Sequence, residues 1–138
     1  MTAIRETNLP NLVHRGKVRD TYEREGGLLL MVTTDRISAF DVVLPTTIPE
    51  KGAVLSQMSA FWFRETAHIL PNHFLELASD RPGLDLPYEI SRRSMVVRKA
   101  QRIDVECIAR GFITGSAWAE YKRSETVQGQ PMPRGLTE

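Results

Sequence analysis

The chain has 138 residues, 41% of them hydrophobic and 25% charged, a composition typical of a soluble globular protein of one domain or slightly more. Its 18 basic and 17 acidic residues give a formal net charge of +1, so no net field recruits nucleic acid or an anionic membrane, and we expect neither as a partner. No apolar run approaches the roughly 20 residues that cross a bilayer, and the N-terminus lacks the apolar core of a signal peptide. Together these features predict a cytoplasmic protein.

The first third of the chain predicts an antiparallel meander. Two short segments of alternating polarity, residues 12–15 and 18–23, flank Gly16, and Glu25-Gly26-Gly27 then turns the chain into the apolar run of residues 28–33. Each segment has the length and composition of a strand.

A helix is predicted over residues 53–70, where apolar side chains recur at helical spacing and Pro71 ends the pattern. We interpret the aromatic run of residues 61–63 as core or interdomain packing rather than a ligand site. The apolar positions at helical spacing are Leu55, Met58, Trp62 and Ile69.

The second half begins with a predicted loop over residues 79–91, rich in proline, glycine and charge, and a strand follows over residues 94–99. A short helix is predicted after Ser116, followed by a polar tail without a core of its own. The chain shows no internal repeat and no metal-binding cluster of cysteine and histidine.

Residues 105–113 are rich in β-branched and apolar types and predict a strand with Glu106 and Arg110 on one face. Their Cα atoms would lie about 13 Å apart, too far for direct neutralisation. Each therefore needs another partner, which is either a ligand in a cleft or a residue of a neighbouring strand. Cys107 falls on the opposite face, so we interpret it as core packing rather than a nucleophile.

Two further segments are candidates for ligand binding. In residues 15–19, Arg-Gly-Lys-Val-Arg, the glycine permits close backbone approach to a ligand, and two cations share one face, so the bend could cover a polyphosphate. The alternative is a solvated basic turn. In residues 35–41 several small polar groups crowd a short stretch, which indicates either a ligand loop or a tight turn with an aspartate cap.

These segments carry a family resemblance. Residues 15–20, 34–41, 48–52 (Ile-Pro-Glu-Lys-Gly), 61–63 and 106–118 resemble, in the same order, the SAICAR synthetase family of purine biosynthesis. Many members have a proline where this chain has an aspartate two residues before the glutamate of the last segment. Members are also about twice as long, and the later acidic and basic residues of the family have no counterpart in this chain.

The resemblance implies an α+β fold, with a kinase-like lobe of antiparallel strands and one main helix over residues 1–99 and the start of a second α+β domain over residues 100–138. The cleft between the two would be the active site. It further implies that Glu106 and Arg110 act in catalysis, with Glu106 close to a metal ion. The implied ATP-binding residues are Gly16, Lys17, Val18, Arg19, Lys99 and Gln101. The implied substrate-binding residues are Asp35, Arg36, Ser38, Asp41, Arg110 and Ser116.

The reaction implied by the resemblance is an ATP-dependent, Mg²⁺-dependent ligation of L-aspartate to carboxyaminoimidazole ribonucleotide, giving SAICAR, ADP and phosphate. No protein nucleophile is required. Two rival interpretations stay open: a truncated or split ATP-binding module that needs a second polypeptide for activity, and a regulatory binding domain of the same fold. The sequence also leaves open whether the protein is a homo-oligomer.

Overall fold

The computed structural model describes residues 3–105, 107, 109 and 111–137. The chain divides into two compact units, Met1–Gln101 and Arg102–Glu138. The first unit contains, in chain order, β1 (Leu12–Arg15), β2 (Arg19–Arg24), β3 (Leu28–Thr33), β4 (Arg36–Ala39), β5 (Val42–Thr47), α1 (Lys51–Glu65), β6 (Phe74–Leu77), a 3-10 turn (Ala78–Asp80), α2 (Tyr88–Ser91) and β7 (Ser94–Arg98). The second contains α3 (Ser116–Ser124), β8 (Thr126–Val127) and β9 (Gln130–Pro131).

An antiparallel sheet of five strands, in the order β1-β2-β3-β7-β6, forms the frame of the first unit. The turn between β2 and β3 contains Gly26 and Gly27, both with positive φ, a conformation that glycine adopts without steric cost. The predicted α+β class, with its antiparallel sheet and single main helix, is confirmed. No helix in the described part of the chain is long and apolar enough to span a bilayer.

Successive side chains of β2, β3 and β7 point to opposite faces of the sheet, so these central strands bury side chains on both faces. One face contributes the fully buried Tyr22, Leu30 and Val32 to a first core. The other face contributes Met95 and Val97 to a second core that packs against α1. The helix therefore lies on the face that also carries the side chains of odd-numbered β2 residues.

Helix α1 differs from its prediction in both its ends and its buried face. It begins at Lys51 and ends at Glu65. After the helix, Asn72 donates a side-chain hydrogen bond of 2.9 Å to the carbonyl of Phe63, just before the chain enters β6. The expected apolar stripe is largely exposed, with Trp62 57% accessible. Small residues face the sheet instead, since they permit the closest approach. They are Gly52, Ala53, Ser56 and Ala60.

The prediction of a strand over residues 105–113 is wrong for the described residues of that segment, none of which is in a strand. Val105 is 68% accessible and Cys107 is exposed, so the expected core face is not buried either. Apolar alternation stabilises a strand only where a second strand pairs with it. Within the described ranges, no segment pairs with residues 105–113.

The second unit is held together by α3 and the hairpin that follows it. Tyr121 is buried, donates a hydrogen bond of 2.8 Å to the carbonyl of Pro133 and accepts one of 3.0 Å from the amide of Leu136. Glu120 accepts hydrogen bonds from the amides of Gln128 and Gly129 at the turn of the hairpin. The tail that was predicted to lack a core is thus ordered by two side chains of α3.

Candidate functional site

The glycine turn, residues 16–19, connects β1 to β2 through one short hydrogen bond. The amide of Gly16 donates to the carbonyl of Arg19 at 2.7 Å. A Cβ atom at position 16 would lie 3.3 Å from that carbonyl oxygen, tighter than most side chains tolerate. A larger residue at position 16 would require this carbonyl to shift by a few tenths of an ångström. The turn presents Lys17 and Arg19 as exposed cations.

Arg36 fixes the glycine turn from behind. Its guanidinium donates to the carbonyls of Gly16 and Lys17 at 2.9 Å each and to the carboxylate of Asp20 at 2.8 Å. The residue is 5% accessible. The family resemblance implies a substrate contact for Arg36, whereas its side chain in the structure supports the turn.

Asp20 provides the counter-charge for that support. Its buried carboxylate accepts hydrogen bonds from the amide and hydroxyl of Thr7 as well as from Arg36. Burial raises the pKa of the Asp20 carboxyl, but the hydrogen bonds from Arg36 and Thr7 outweigh burial and leave the pKa below its usual value. The carboxylate stays ionised, so the Arg36 charge stays compensated.

Asp35 is also a buried support rather than an accessible ligand. It is fully buried, and its oxygens accept hydrogen bonds from the amides of Ile4 at 2.8 Å and Gly52 at 2.9 Å and from Arg93 at 2.8 Å. Glu50, which precedes α1, makes no side-chain cap, so Asp35 caps the helix from a distant part of the chain. The predicted substrate contact of Asp35 is thus replaced by control of where α1 begins.

Lys17 and Asp41 form an exposed ion pair between the glycine turn and the β4–β5 hairpin. Phe40 and Asp41 have positive φ angles of 49° and 65°, as in the two-residue turns that close hairpins, so the tight-turn interpretation of residues 35–41 is correct at this point. Hydrogen bonding to Lys17 holds the pKa of the Asp41 carboxyl below its usual value. The structure therefore brings together one predicted nucleotide residue and one predicted substrate residue. Ser38 is half-buried on β4, the strand that leads into the same hairpin.

The face of the sheet that carries Arg19 has a basic end and an apolar middle. In the register of β2 and β3, Arg19 lies opposite Thr33, and the half-buried Leu29 and Met31 occupy the same face farther along. Glu23 is the last residue of β2 on this face, and its carboxylate pairs with the Lys99 ammonium at 2.7 Å. Such a surface can accept a flat apolar group beside its middle and an anion at its basic end.

Three further predicted nucleotide residues lie at the borders of this face. The amide of Lys99 donates to the carbonyl of Gly27 at 2.9 Å, so only its carbonyl remains for a ligand. Gln101 is exposed. The carbonyl of Val18 accepts two hydrogen bonds from Thr34, which holds the turn against the sheet.

Two residues whose pKa values respond to the Arg19 charge are not among the predicted site residues. Lys51, the first residue of α1, donates a hydrogen bond of 3.0 Å to the carbonyl of Arg36. Burial lowers the pKa of Lys51, Asp35 opposes this, and Arg19 lowers it further. Burial also lowers the pKa of His73, and Arg19 again adds to the effect. The one signal for Lys51 was its place in residues 48–52, a segment that carried the resemblance without an assigned role.

The predicted site residues beyond residue 101 are only partly described. Ser116 is the exposed first residue of α3 and lines a cavity of about 390 Å³ within the second unit. Glu106 and Arg110 lie outside the described residues. The cavity is further lined by Gly111, Phe112, Ile113, Glu120 and Met132, among others.

The described residues do not fit a magnesium site. Across the described ranges, no group of three or more acidic, histidine or cysteine side chains lies close enough to hold a metal ion. Magnesium is bound in proteins by several oxygen ligands, and one carboxylate does not supply them. The metal role predicted for Glu106 therefore stays a prediction.

Comparison with known proteins gives consistent matches. The SAICAR synthetase family model matches residues 12–138. A phosphoribosylaminoimidazole-succinocarboxamide synthase of Nitrosomonas europaea is 48% identical over 133 residues, which are 96% of this chain and 45% of that protein. The corresponding protein of Desulforapulum autotrophicum is 49% identical over 141 residues, covering 99% of this chain and 48% of its own length.

The solved structures agree with the sequence matches. A SAICAR synthase from Saccharomyces cerevisiae, complexed with SAICAR, matches this chain with a TM-score of 0.86 and 44% sequence identity over 99% of this chain and 50% of that one. A second SAICAR synthase structure gives a TM-score of 0.87. The chain spans about half the length of the relatives that it matches.

Proposed function

The chain belongs to the SAICAR synthetase family, and on that premise we propose that it forms the ATP-binding lobe and the first part of the substrate site of a ligase. That ligase joins L-aspartate to carboxyaminoimidazole ribonucleotide. The observation that carries the proposal is the contact between Lys17 and Asp41. This ion pair joins residues 16–19 to the β4–β5 hairpin within one unit, which supports a shared site for nucleotide and substrate.

ATP would lie along the β2 side of the sheet face that carries Arg19, because α1 packs mainly on the β3, β6 and β7 part of that face. The base would pack beside Leu29 and Met31, near the carbonyl of Lys99 and the exposed Gln101. The phosphates would then point to the glycine turn, where Lys17 and Arg19 supply positive charge. Arg36 and Asp20 hold the backbone of the turn from the buried side, so binding of the phosphates would not distort it.

The proposed reaction has two steps, and neither requires a nucleophile from the protein. A carboxylate oxygen of the imidazole nucleotide attacks the terminal phosphorus of ATP, and ADP leaves. The amine of L-aspartate then attacks the acyl carbon, loses a proton, and expels phosphate to leave the amide. The protein contributes alignment of the anions and compensation of their charge by basic side chains.

The remaining assignments rest on sequence resemblance. Arg110 and Ser116 would hold the phosphate and neighbouring groups of the imidazole nucleotide, and Ser38 and Asp41 match further substrate-binding positions of the family. A guanidinium with a neighbouring hydroxyl is suited to a phosphate group. Glu106 would lie near the reacting carboxylate. Magnesium would arrive with the nucleotide.

The rival interpretation is an ATP-binding module that lacks ligase activity on its own. The chain spans about half the length of each relative, which is compatible with both interpretations. Both interpretations share the nucleotide site and differ in whether turnover occurs when the other half is present.

A complementation assay distinguishes the two. SAICAR formation would be measured with the 138-residue chain alone, with a separately produced C-terminal half of the Nitrosomonas europaea relative, and with both together. We expect turnover that requires both polypeptides, ATP and L-aspartate. Absence of turnover from a mixture in which both parts are folded and this chain binds ATP would reject the ligase role and favour the module.

A further inference from the structure

We propose that Lys51 and Arg19 together form an anion clamp that binds the terminal phosphates of the nucleotide. The sequence resemblance assigns no role to Lys51, and it implies that Arg19 binds ATP together with Lys17 and other residues of the glycine turn. The inference rests on the proposed function in so far as the nucleotide is ATP. The clamp itself predicts affinity for any compact polyphosphate.

The sheet register and the packing of α1 bring the two side chains together. Arg19 lies directly opposite Thr33 in the β2–β3 ladder, on the face covered by α1. Helix α1 begins in close contact with Thr33. A Cβ atom added to Gly52 would lie 2.2 Å from the carbonyl oxygen of Thr33. Lys51 immediately precedes Gly52 in sequence. Its backbone therefore lies close to Thr33, the residue of β3 that pairs with Arg19 of β2.

The two cations have no carboxylate partner in the described part of the chain. Neither Arg19 nor Lys51 forms an ion pair there, whereas the buried Arg36 and Arg93 pair with Asp20 and Asp35 respectively. Asp35 is the acidic group that acts most strongly on Lys51. Its oxygens already accept three hydrogen bonds, from Arg93 and from two backbone amides.

Two like charges held together without a counter-ion destabilise each other, and an anion between them would remove that repulsion. Arg19 lowers the pKa of both Lys51 and His73, which shows that its charge acts at this point of the face. The chain as a whole carries a net charge of only +1, so the excess is local. A local excess of this kind favours a ligand with more than one negative charge.

The available donors match a polyphosphate. The Lys51 ammonium has three N–H groups and uses one on the carbonyl of Arg36, which fixes its position and leaves two for a ligand. An arginine guanidinium can donate two parallel hydrogen bonds to a phosphate group. The amine is held by backbone rather than by a carboxylate, so binding an anion does not require an existing ion pair to break.

Calorimetric titration of the whole 138-residue chain tests the clamp with three probes: Mg-ATP, AMP and sodium pyrophosphate. Lys51→Gln removes the charge but keeps a donor for the Arg36 carbonyl, and Lys51→Arg keeps the charge. Lys122→Gln removes an exposed charge from the second unit and is the matched control. A thermal melt of each variant verifies that it is folded.

We expect Lys51→Gln and Arg19→Gln each to weaken Mg-ATP and pyrophosphate binding by about tenfold or more, the loss of one charged hydrogen bond, with little change for AMP. Lys51→Arg and Lys122→Gln should stay close to the parent. Unchanged affinity in Lys51→Gln, or an equal loss in Lys51→Gln and Lys51→Arg, would overturn the inference.

The probes separate this inference from the proposed function. Binding of Mg-ATP by the parent that does not depend on Lys51 overturns the clamp and leaves the ATP site intact. Binding of pyrophosphate that depends on Lys51, in a parent that does not bind Mg-ATP, supports the clamp and contradicts the ATP site. A folded parent that binds neither probe overturns both.

Discussion

Arg93 and Asp35, which are 58 residues apart in sequence, form an ion pair of 2.8 Å in which both side chains are fully buried. The pair connects the start of β7 to the segment before β4. Because the same carboxylate accepts the amide of Gly52, it also sets where α1 begins and hence where Lys51 lies. A buried electrostatic contact thereby determines the geometry of the proposed phosphate site.

Asp35→Asn should destabilise the chain by about 3–5 kcal/mol, because it removes the close counter-charge of the buried Arg93 and leaves only Glu50, 3.8 Å away, to compensate it. Urea unfolding followed by circular dichroism measures the change. Arg64→Met, which removes an exposed ion pair with Asp80, is the control and should change the free energy of unfolding by less than about 1 kcal/mol. Equal effects of the two substitutions would show that the buried pair is not a main support.

Gly52→Ala should destabilise the chain by about 1–3 kcal/mol or more, since the new Cβ atom would meet the Thr33 carbonyl, a backbone group that cannot rotate away. Helix propensity alone predicts the opposite, a gain of about 1 kcal/mol. Ser59→Ala in the same helix serves as the comparison. A more stable Gly52→Ala variant would mean that α1 does not approach the sheet as closely as described.

His73 should make the stability of the chain depend on pH. Burial and the Arg19 charge lower its pKa in the folded state below the ordinary value of 6.5, so the unfolded chain binds the proton first as the pH falls. The His73 contribution to the free energy of unfolding should thus be constant above about pH 7.5 and decline below about pH 6.5. NMR titration of the imidazole should show a pKa below 6.5 in the parent and a higher one in Arg19→Gln. Identical titration curves would place Arg19 away from His73.

Asp41→Asn should increase the affinity for Mg-ATP severalfold, because Asp41 competes with phosphate oxygens for the Lys17 ammonium. Both side chains are exposed, so the substitution should have little effect on stability. Calorimetric titration of the parent and the variant decides this point. Weaker binding in the variant would indicate that Asp41 supports Lys17 in the nucleotide complex instead of competing with it.

The strands β1, β2, β3 and β7 were predictable because their alternation, lengths and glycine turns are local properties of the sequence, whereas β4, β5, β6, β8 and β9 were not predicted. The buried face of α1 was not, since it depends on how closely Gly52 approaches Thr33, a contact between distant segments. The same limit explains Asp35 and Arg36. A cluster of polar residues suggests a ligand site, and the sequence does not reveal that their partners are Arg93 and backbone groups elsewhere in the fold. Residues 105–113 have strand composition but, among the described residues, no strand to pair with.

Resemblance and structure contributed different parts of the candidate site. The resemblance predicted the family and an ATP-binding role for the glycine turn, including Lys17 and Arg19. The structure added Lys51, which a sequence pattern could not single out because its relation to Arg19 arises from packing of α1 on the sheet. It also reassigned Arg36 from substrate contact to support of the turn.

The most direct test of the central claim is a thermal melt of the purified 138-residue chain with and without saturating Mg-ATP. A ligand at 100 times its dissociation constant stabilises the folded state by about 2.7 kcal/mol, which in a chain of this size raises the midpoint by roughly ten degrees. We predict such a shift, together with a smaller one in Lys51→Gln at the same nucleotide concentration. A cooperative melt with the same midpoint in the presence and absence of Mg-ATP would contradict the claim that this chain forms a nucleotide-binding lobe.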